Sequence, residues 1–141
     1  MKNILIISGH GKYATMIKSS IEFLAGGSDE IEYIDFTDKD TDITLKEKMK
    51  KVLVKYENDN VLFVCDILGG TPFKCAVELS IGKDSIEVTA GCNVSSIIES
   101  IFQKNSMSIS ELADFIIESS KNSTGKFVMK KEVRTDNSEG I

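Results

Sequence analysis

Residues 61–65, VLFVC, run without a polar interruption. Such a run suits a central parallel strand covered by helices on both faces, and does not suit a strand with one face in water. A similar run occupies residues 4–8, and behind it Tyr13, Met16, Ile17, Ile21 and Leu24 recur at helical spacing until Gly26 and Gly27 end the pattern. Strand, tight turn and helix follow one another, and the alternation continues. A second strand is expected at residues 31–35, then a polar DKDTD loop. The next helix is expected to start at Thr44, with Thr44 and Glu47 as a capping box and Leu45, Met49, Val52, Leu53 and Tyr56 inward. After VLFVC, Thr71 stands as the expected N-cap and Pro72 as the first helical residue, with Ala76, Val77 and Leu79 on the buried side. Residues 86–90 read as a fourth strand. Asn93 is placed to cap a helix carrying Val94, Ile97, Ile98 and Ile101, and Ser108 or Ser110 to start another with Leu112, Phe115 and Ile116 inward. A last β-like segment, KFVMK at residues 126–130, precedes a polar tail.

Strands that alternate with helices imply right-handed crossovers and a parallel sheet, hence a doubly wound α/β fold with helices on both faces. The chain of 141 residues is the right size for one such domain, expected over residues 1–134, with residues 135–141 as a disordered tail. An excess of 22 acidic over 17 basic side chains disfavours nucleic acid and anionic lipid as partners. No apolar run nears the roughly 20 residues a bilayer crossing requires, and the N-terminus lacks the features of a signal peptide. A cytoplasmic location is expected, with any membrane association indirect.

Ligands in doubly wound sheets sit beyond the carboxyl ends of the strands, where strand order reverses. For the order 2-1-3-4 that place lies between the first and third strands. His10, the only histidine, comes just after the first strand and Asp66 just after the third, so this order brings them together in the crevice. An aspartate accepting a hydrogen bond from one ring nitrogen fixes the tautomer and leaves the other nitrogen nucleophilic. Downstream, Gly69 and Gly70 allow a close turn, and Thr71 and Pro72 open a helix whose free N–H groups and dipole favour an anion. Read alone, each feature has a plainer explanation: a tolerated surface histidine, and an ordinary glycine turn capped by threonine. Their shared place at one sheet edge favours the functional one.

Other chemistries fit poorly. Gly9-His10-Gly11-Lys12 has one residue between its glycines where a P-loop needs four, and no GxGxxG follows the first strand. Cys65, Cys75 and Cys92 form no CxxC pair, and a lone histidine cannot complete a zinc site with them. Neither a metal nor a cofactor is expected, and the cysteines read as buried small hydrophobes.

The SGHG around His10, together with DILGGTPF from Asp66, resembles the mannose-family enzyme IIA component of the bacterial phosphoenolpyruvate-dependent sugar phosphotransferase system. The resemblance extends through IDF at residues 34–36 and AGCN at residues 90–93 to essentially the whole chain. It implies that His10 accepts a phosphoryl group from the phosphocarrier HPr on Nε2 and passes it to an enzyme IIB, that Asp66 holds the other ring nitrogen, and that Gly70 and Thr71 lie in the loop cradling the phosphate. It also implies a homodimer in which the C-terminal strand pairs with the partner's sheet. KFVMK suits that role, although from its residues alone an edge strand within its own chain is equally open. Where the best-known members continue into a fused enzyme IIB, this chain is expected to be a separate IIA subunit. Ile67 and Leu68 stand where some members carry an aromatic, which leaves the sugar open. Three other readings remain at this point: a regulatory phosphoacceptor module, the phosphoryl donor subunit of dihydroxyacetone kinase, and a small-ligand binding domain in which His10 has no role.

Overall fold

The computed structural model describes residues 1–130. Its sheet has four parallel strands, β1 (Asn3–His10), β2 (Ile31–Phe36), β3 (Asn60–Cys65) and β4 (Ile86–Ala90), in the order β2-β1-β3-β4. The helices are α1 (Tyr13–Ala25), α2 (Asp42–Lys55), α3 (Thr71–Ser80), α4 (Val94–Gln103) and α5 (Ile109–Asn122). This is the doubly wound arrangement expected from the alternation of patterns.

Alternate residues of the two central strands supply two separate cores. Leu5, Ile7, Leu62 and Val64 face Ile21, Ile97, Leu112 and Ile116, which come from α1, α4 and α5. Ile4, Ile6, Phe63 and Cys65 face Leu45 and Met49 of α2 and Cys75 and Ala76 of α3. Residues 61–65 are all buried, which explains the missing polar alternation: neither face of β3 meets water.

Several element starts differ from those expected. The first strand runs two residues further, so His10 is its last residue and not the first of a turn. Helix α2 begins three residues earlier than the Thr44–Glu47 reading. Thr41 is the N-cap, and its hydroxyl accepts the Thr44 N–H at 3.2 Å while the Thr44 hydroxyl accepts the Thr41 N–H at 2.8 Å. A second threonine closes the box in place of Glu47, and Asp40 further occupies the Thr44 hydroxyl at 2.9 Å. Helix α3 is capped by Gly70, with Thr71 as its first residue. Here a turn with the Gly70 N–H on the Ile67 carbonyl at 3.0 Å, and Gly69 at φ +80°, delivers the chain to the helix one residue sooner. The caps of the last two helices agree with expectation: Asn93 accepts the Ser96 N–H at 2.9 Å, and Ser108, not Ser110, forms a capping box with Glu111.

Among the described residues the sheet ends at β4, and KFVMK forms no strand with its own chain. Phe127, Val128 and Met129 are exposed. The end of the expected domain at residue 134 and the expected tail at residues 135–141 lie outside the described residues. None of the described helices is long and apolar enough to cross a membrane.

Because Phe63 fills the middle of one core with no exposure, Phe63→Ala is expected to lower unfolding free energy by about 3–5 kcal/mol in urea titration. Ser108→Ala, which removes only a cap, should cost about 1 kcal/mol in the same measurement.

Candidate functional site

The sheet register assembles the site. Ser8 of β1 lies beside Cys65 of β3, so His10 and Asp66 leave adjacent strands at the same carboxyl edge. The Asp66 N–H donates to the Ser8 carbonyl at 3.2 Å, continuing the ladder past the end of β3. The Asp66 carboxylate then turns back toward β1. Its Oδ2 accepts the His10 main-chain N–H at 2.9 Å and lies 2.9 Å from His10 Nδ1, while Oδ1 accepts the Ile67 N–H at 2.8 Å. A carboxylate with no proton to give makes Nδ1 the protonated nitrogen of a neutral imidazole, which leaves the Nε2 lone pair free. The Asp66 side chain is 11% exposed and that of His10 42%. The carboxylate is enclosed, and the ring it orients is open to solvent.

One further side chain meets the ring. Phe36, at the end of β2, meets it edge to face with centroids 5.6 Å apart and planes at 73°. The Gly11 N–H donates to the Phe36 carbonyl at 2.7 Å, and Gly11 takes φ +62°, a conformation glycine adopts without strain. Phe36 was not distinguishable by sequence reasoning as a site residue. The available signal was its position at the carboxyl edge of the strand beside the histidine.

On the other side of the imidazole lies the start of α3. A Cβ at Gly70 would come within 3.0 Å of His10 Cε1 and 3.3 Å of the Ile67 carbonyl oxygen. A side chain here would push the ring or the Ile67 carbonyl aside by a few tenths of an ångström. The first helical carbonyl, that of Gly70, is taken by the Lys74 N–H at 2.9 Å. The N–H groups of Thr71 and Phe73 precede that first bond and have no intrahelical acceptor, and Pro72 has no N–H to offer. With the Thr71 hydroxyl and the positive end of the helix dipole, they make the neighbourhood of the imidazole suited to an anion. His10, Asp66 and Gly70 thus meet at one sheet edge, and Thr71 is the next residue along the chain.

The cysteines take no part. All three are buried, and burial, with a smaller contribution from the Asp66 charge, pushes the Cys65 thiol up to about 12. It is a core side chain. No cluster of metal-ligating side chains occurs among the described residues. A groove of about 480 Å³ lined by Leu53, Leu79, Ile86, Lys50 and Lys83 opens at the amino ends of β3 and β4, the opposite edge of the sheet from His10.

The family model described as "PTS system fructose IIA component" matches residues 4–117. The chain belongs to this family of phosphotransferase-system IIA components. Within the family, the chain is 30% identical over 119 residues to the mannose-specific EIIAB component of Escherichia coli, covering 83% of this chain and 37% of that protein. It therefore spans a little over a third of that relative's length. It is 27% identical over 114 residues to the sorbose-specific EIIA component of Lacticaseibacillus casei, covering 81% of this chain and 83% of that one. The solved mannose/sorbose-specific IIA subunit of Enterococcus faecalis superposes with a TM-score of 0.85 at 22% identity, over 94% of this chain and all of that one. That last likeness concerns the fold.

Removing the Asp66 acceptor should leave the fold intact and free the imidazole to exchange tautomers. Asp66→Ala is expected to shift the His10 ring ¹⁵N resonances from the Nδ1-protonated pattern toward that of a free imidazole. Gly70→Ala, which crowds Cε1, should perturb the same resonances with the carboxylate still present.

Proposed function

We propose that this IIA component is a phosphocarrier in which His10 Nε2 accepts a phosphoryl group from the phosphohistidine of HPr and passes it to a histidine of an enzyme IIB during sugar uptake. The observation that carries this reading is the pairing of His10 Nδ1 with the enclosed Asp66 carboxylate at 2.9 Å while the ring stays exposed. Membership of the family supports it.

In the forward step the Nε2 lone pair attacks phosphorus, a P–N bond forms on His10, and the P–N bond to the donor imidazole breaks with its electron pair returning to that ring. The transition state is loose, so the protein contributes chiefly through alignment and charge. Asp66 holds the ring in line and offsets the positive charge that grows on it as Nε2 bonds to phosphorus. The Thr71 and Phe73 N–H groups, the Thr71 hydroxyl and the α3 dipole face the phosphoryl oxygens, whose negative charge they stabilise. Gly70 leaves room for that group beside Cε1. Transfer onward to enzyme IIB is the same step in reverse with a different imidazole. The site needs no metal and handles a phosphoryl group, never a sugar. Relatives named for mannose, sorbose and fructose can accordingly share it.

The chain acts in this reading as a single domain over residues 1–134 that works as a homodimer. The outer edge of β4, which pairs with no other described residue, and the exposed apolar residues of KFVMK support pairing of that segment with the sheet of a second copy. Each buries what the other leaves open.

Incubation with phosphoenolpyruvate, enzyme I and HPr should add one phosphate to the chain, visible by intact-mass measurement, labile to brief acid, and absent from His10→Ala. No added mass with a demonstrably active HPr would overturn the carrier reading. Sedimentation of the full chain should give a dimer, and replacing Phe127, Val128 and Met129 together by Ser should shift it to monomer.

A further inference from the structure

The end of β1 that bears His10 is closed by a contact that the phosphoryl reading does not use. Gly9, the residue before His10, lies beneath the ring of Tyr13. A Cβ built on Gly9 would stand 2.6 Å from Tyr13 Cγ and 2.8 Å from Tyr13 Cβ, and closer still to Cδ1. No side chain fits there while the ring stays where it is. Tyr13 is the first residue of α1, half-buried against the core that α1 shares with α4 and α5. Helix α1 is pinned a second time by Asp35, whose carboxylate accepts the Thr15 N–H at 3.0 Å and also the Thr15 hydroxyl. Asp35 is the residue that lies opposite Gly9 in the β1–β2 register. The helix start is thus fastened to two adjacent points of the sheet, and His10, Gly11 and Lys12 bridge the short gap between them.

We infer that Tyr13 is a positioning residue for the His10–Asp66 pair, acting through the contact of its ring with the Gly9 backbone. The His10 main-chain N–H and its Nδ1 share one oxygen of Asp66, each at 2.9 Å. A displacement of residue 9 moves the next peptide, and with it both bonds. The Asp66 charge adds to burial in raising the Tyr13 phenol, which agrees with the ring lying close to the pair. No hydrogen bond of the Tyr13 hydroxyl occurs among the described residues, so the ring and not the hydroxyl carries the effect. The functional side of this inference rests on His10 being the phosphoryl acceptor. Its geometric side does not.

The test compares Gly9→Ala, Tyr13→Ala, the double variant and Tyr13→Phe by two measurements on the full chain. The first is the rate of phosphorylation by phospho-HPr. The second is the ¹⁵N tautomer pattern of the unphosphorylated ring under mildly alkaline conditions, unambiguous because the chain has 1 histidine. A displacement of about 1 Å costs on the order of 100-fold in rate, so Gly9→Ala is expected to slow phosphorylation by roughly 10- to 100-fold and to blur the Nδ1-protonated pattern. Adding Tyr13→Ala to it should restore most of the rate and the pattern, because the clash is removed. Tyr13→Ala alone should be a few-fold slow, on the same positioning argument, and Tyr13→Phe should match the native chain. Native behaviour of Gly9→Ala, a double variant no better than Gly9→Ala, or Tyr13→Phe as impaired as Tyr13→Ala would each overturn the inference. If Gly9→Ala does not fold, the contrast between Tyr13→Phe and Tyr13→Ala decides. If the native chain takes up no phosphate, the carrier reading fails, and the tautomer patterns of the same variants still decide whether Tyr13 positions the pair.

Discussion

One oxygen of Asp66 accepts from both the main chain and the ring of His10, and the site depends on this double acceptance. A carboxylate bonded only to the imidazole would fix its tautomer but let the ring swing with its own χ angles. Bonded also to the peptide of the same residue, it fixes the ring relative to the backbone of β1. The other oxygen is held by the peptide that follows Asp66. The orienting group therefore has little freedom to lose when a second protein docks, and a reaction that depends on alignment benefits directly from that.

The sheet makes this possible. The order β2-β1-β3-β4 places the ends of β1 and β3 side by side, and helices cover both faces of this central pair. Backbone ladders on either side hold the two site residues. The free N–H groups beside the ring come from the start of α3, fastened to β3 by a turn of only a few residues. The loops of the site are short, and each is tied by named main-chain bonds, such as Gly11 to Phe36 and Gly70 to Ile67.

The strand positions, their parallel sense and the meeting of His10 with Asp66 were legible in the sequence, because uninterrupted apolar runs and glycine-bounded helical periods are long-range signals that tertiary packing reinforces. Element starts were less legible. The DKDTD segment holds several residues able to cap a helix, and the competition among Thr41, Thr44 and Glu47 is decided by which hydroxyls Asp40 occupies, a matter of geometry. Thr71 looked like a cap because threonine usually outranks glycine there, yet the Gly69–Gly70 turn enters the helix a residue earlier. Phe36 and Tyr13 could not be picked out, since a phenylalanine ending a strand and a tyrosine starting a helix read as core. Phe36 reaches His10 from the neighbouring strand and Tyr13 touches the backbone of Gly9, contacts that a pattern of apolar residues does not encode. KFVMK has the composition of a strand but pairs with no other described residue of its own chain, because β-like composition does not say which edge, if any, a segment joins.

The exposure of the imidazole, 42% against 11% for its aspartate, has a consequence for lifetime. A nitrogen that a second protein can reach is one that water can reach too, so a phosphoryl group held there would be metastable, shielded only by the few donors of α3. Such an arrangement suits a short-lived relay between two docking events. Storage would call for a lid over the ring, and the short, tied turns around His10 leave little chain from which to make one.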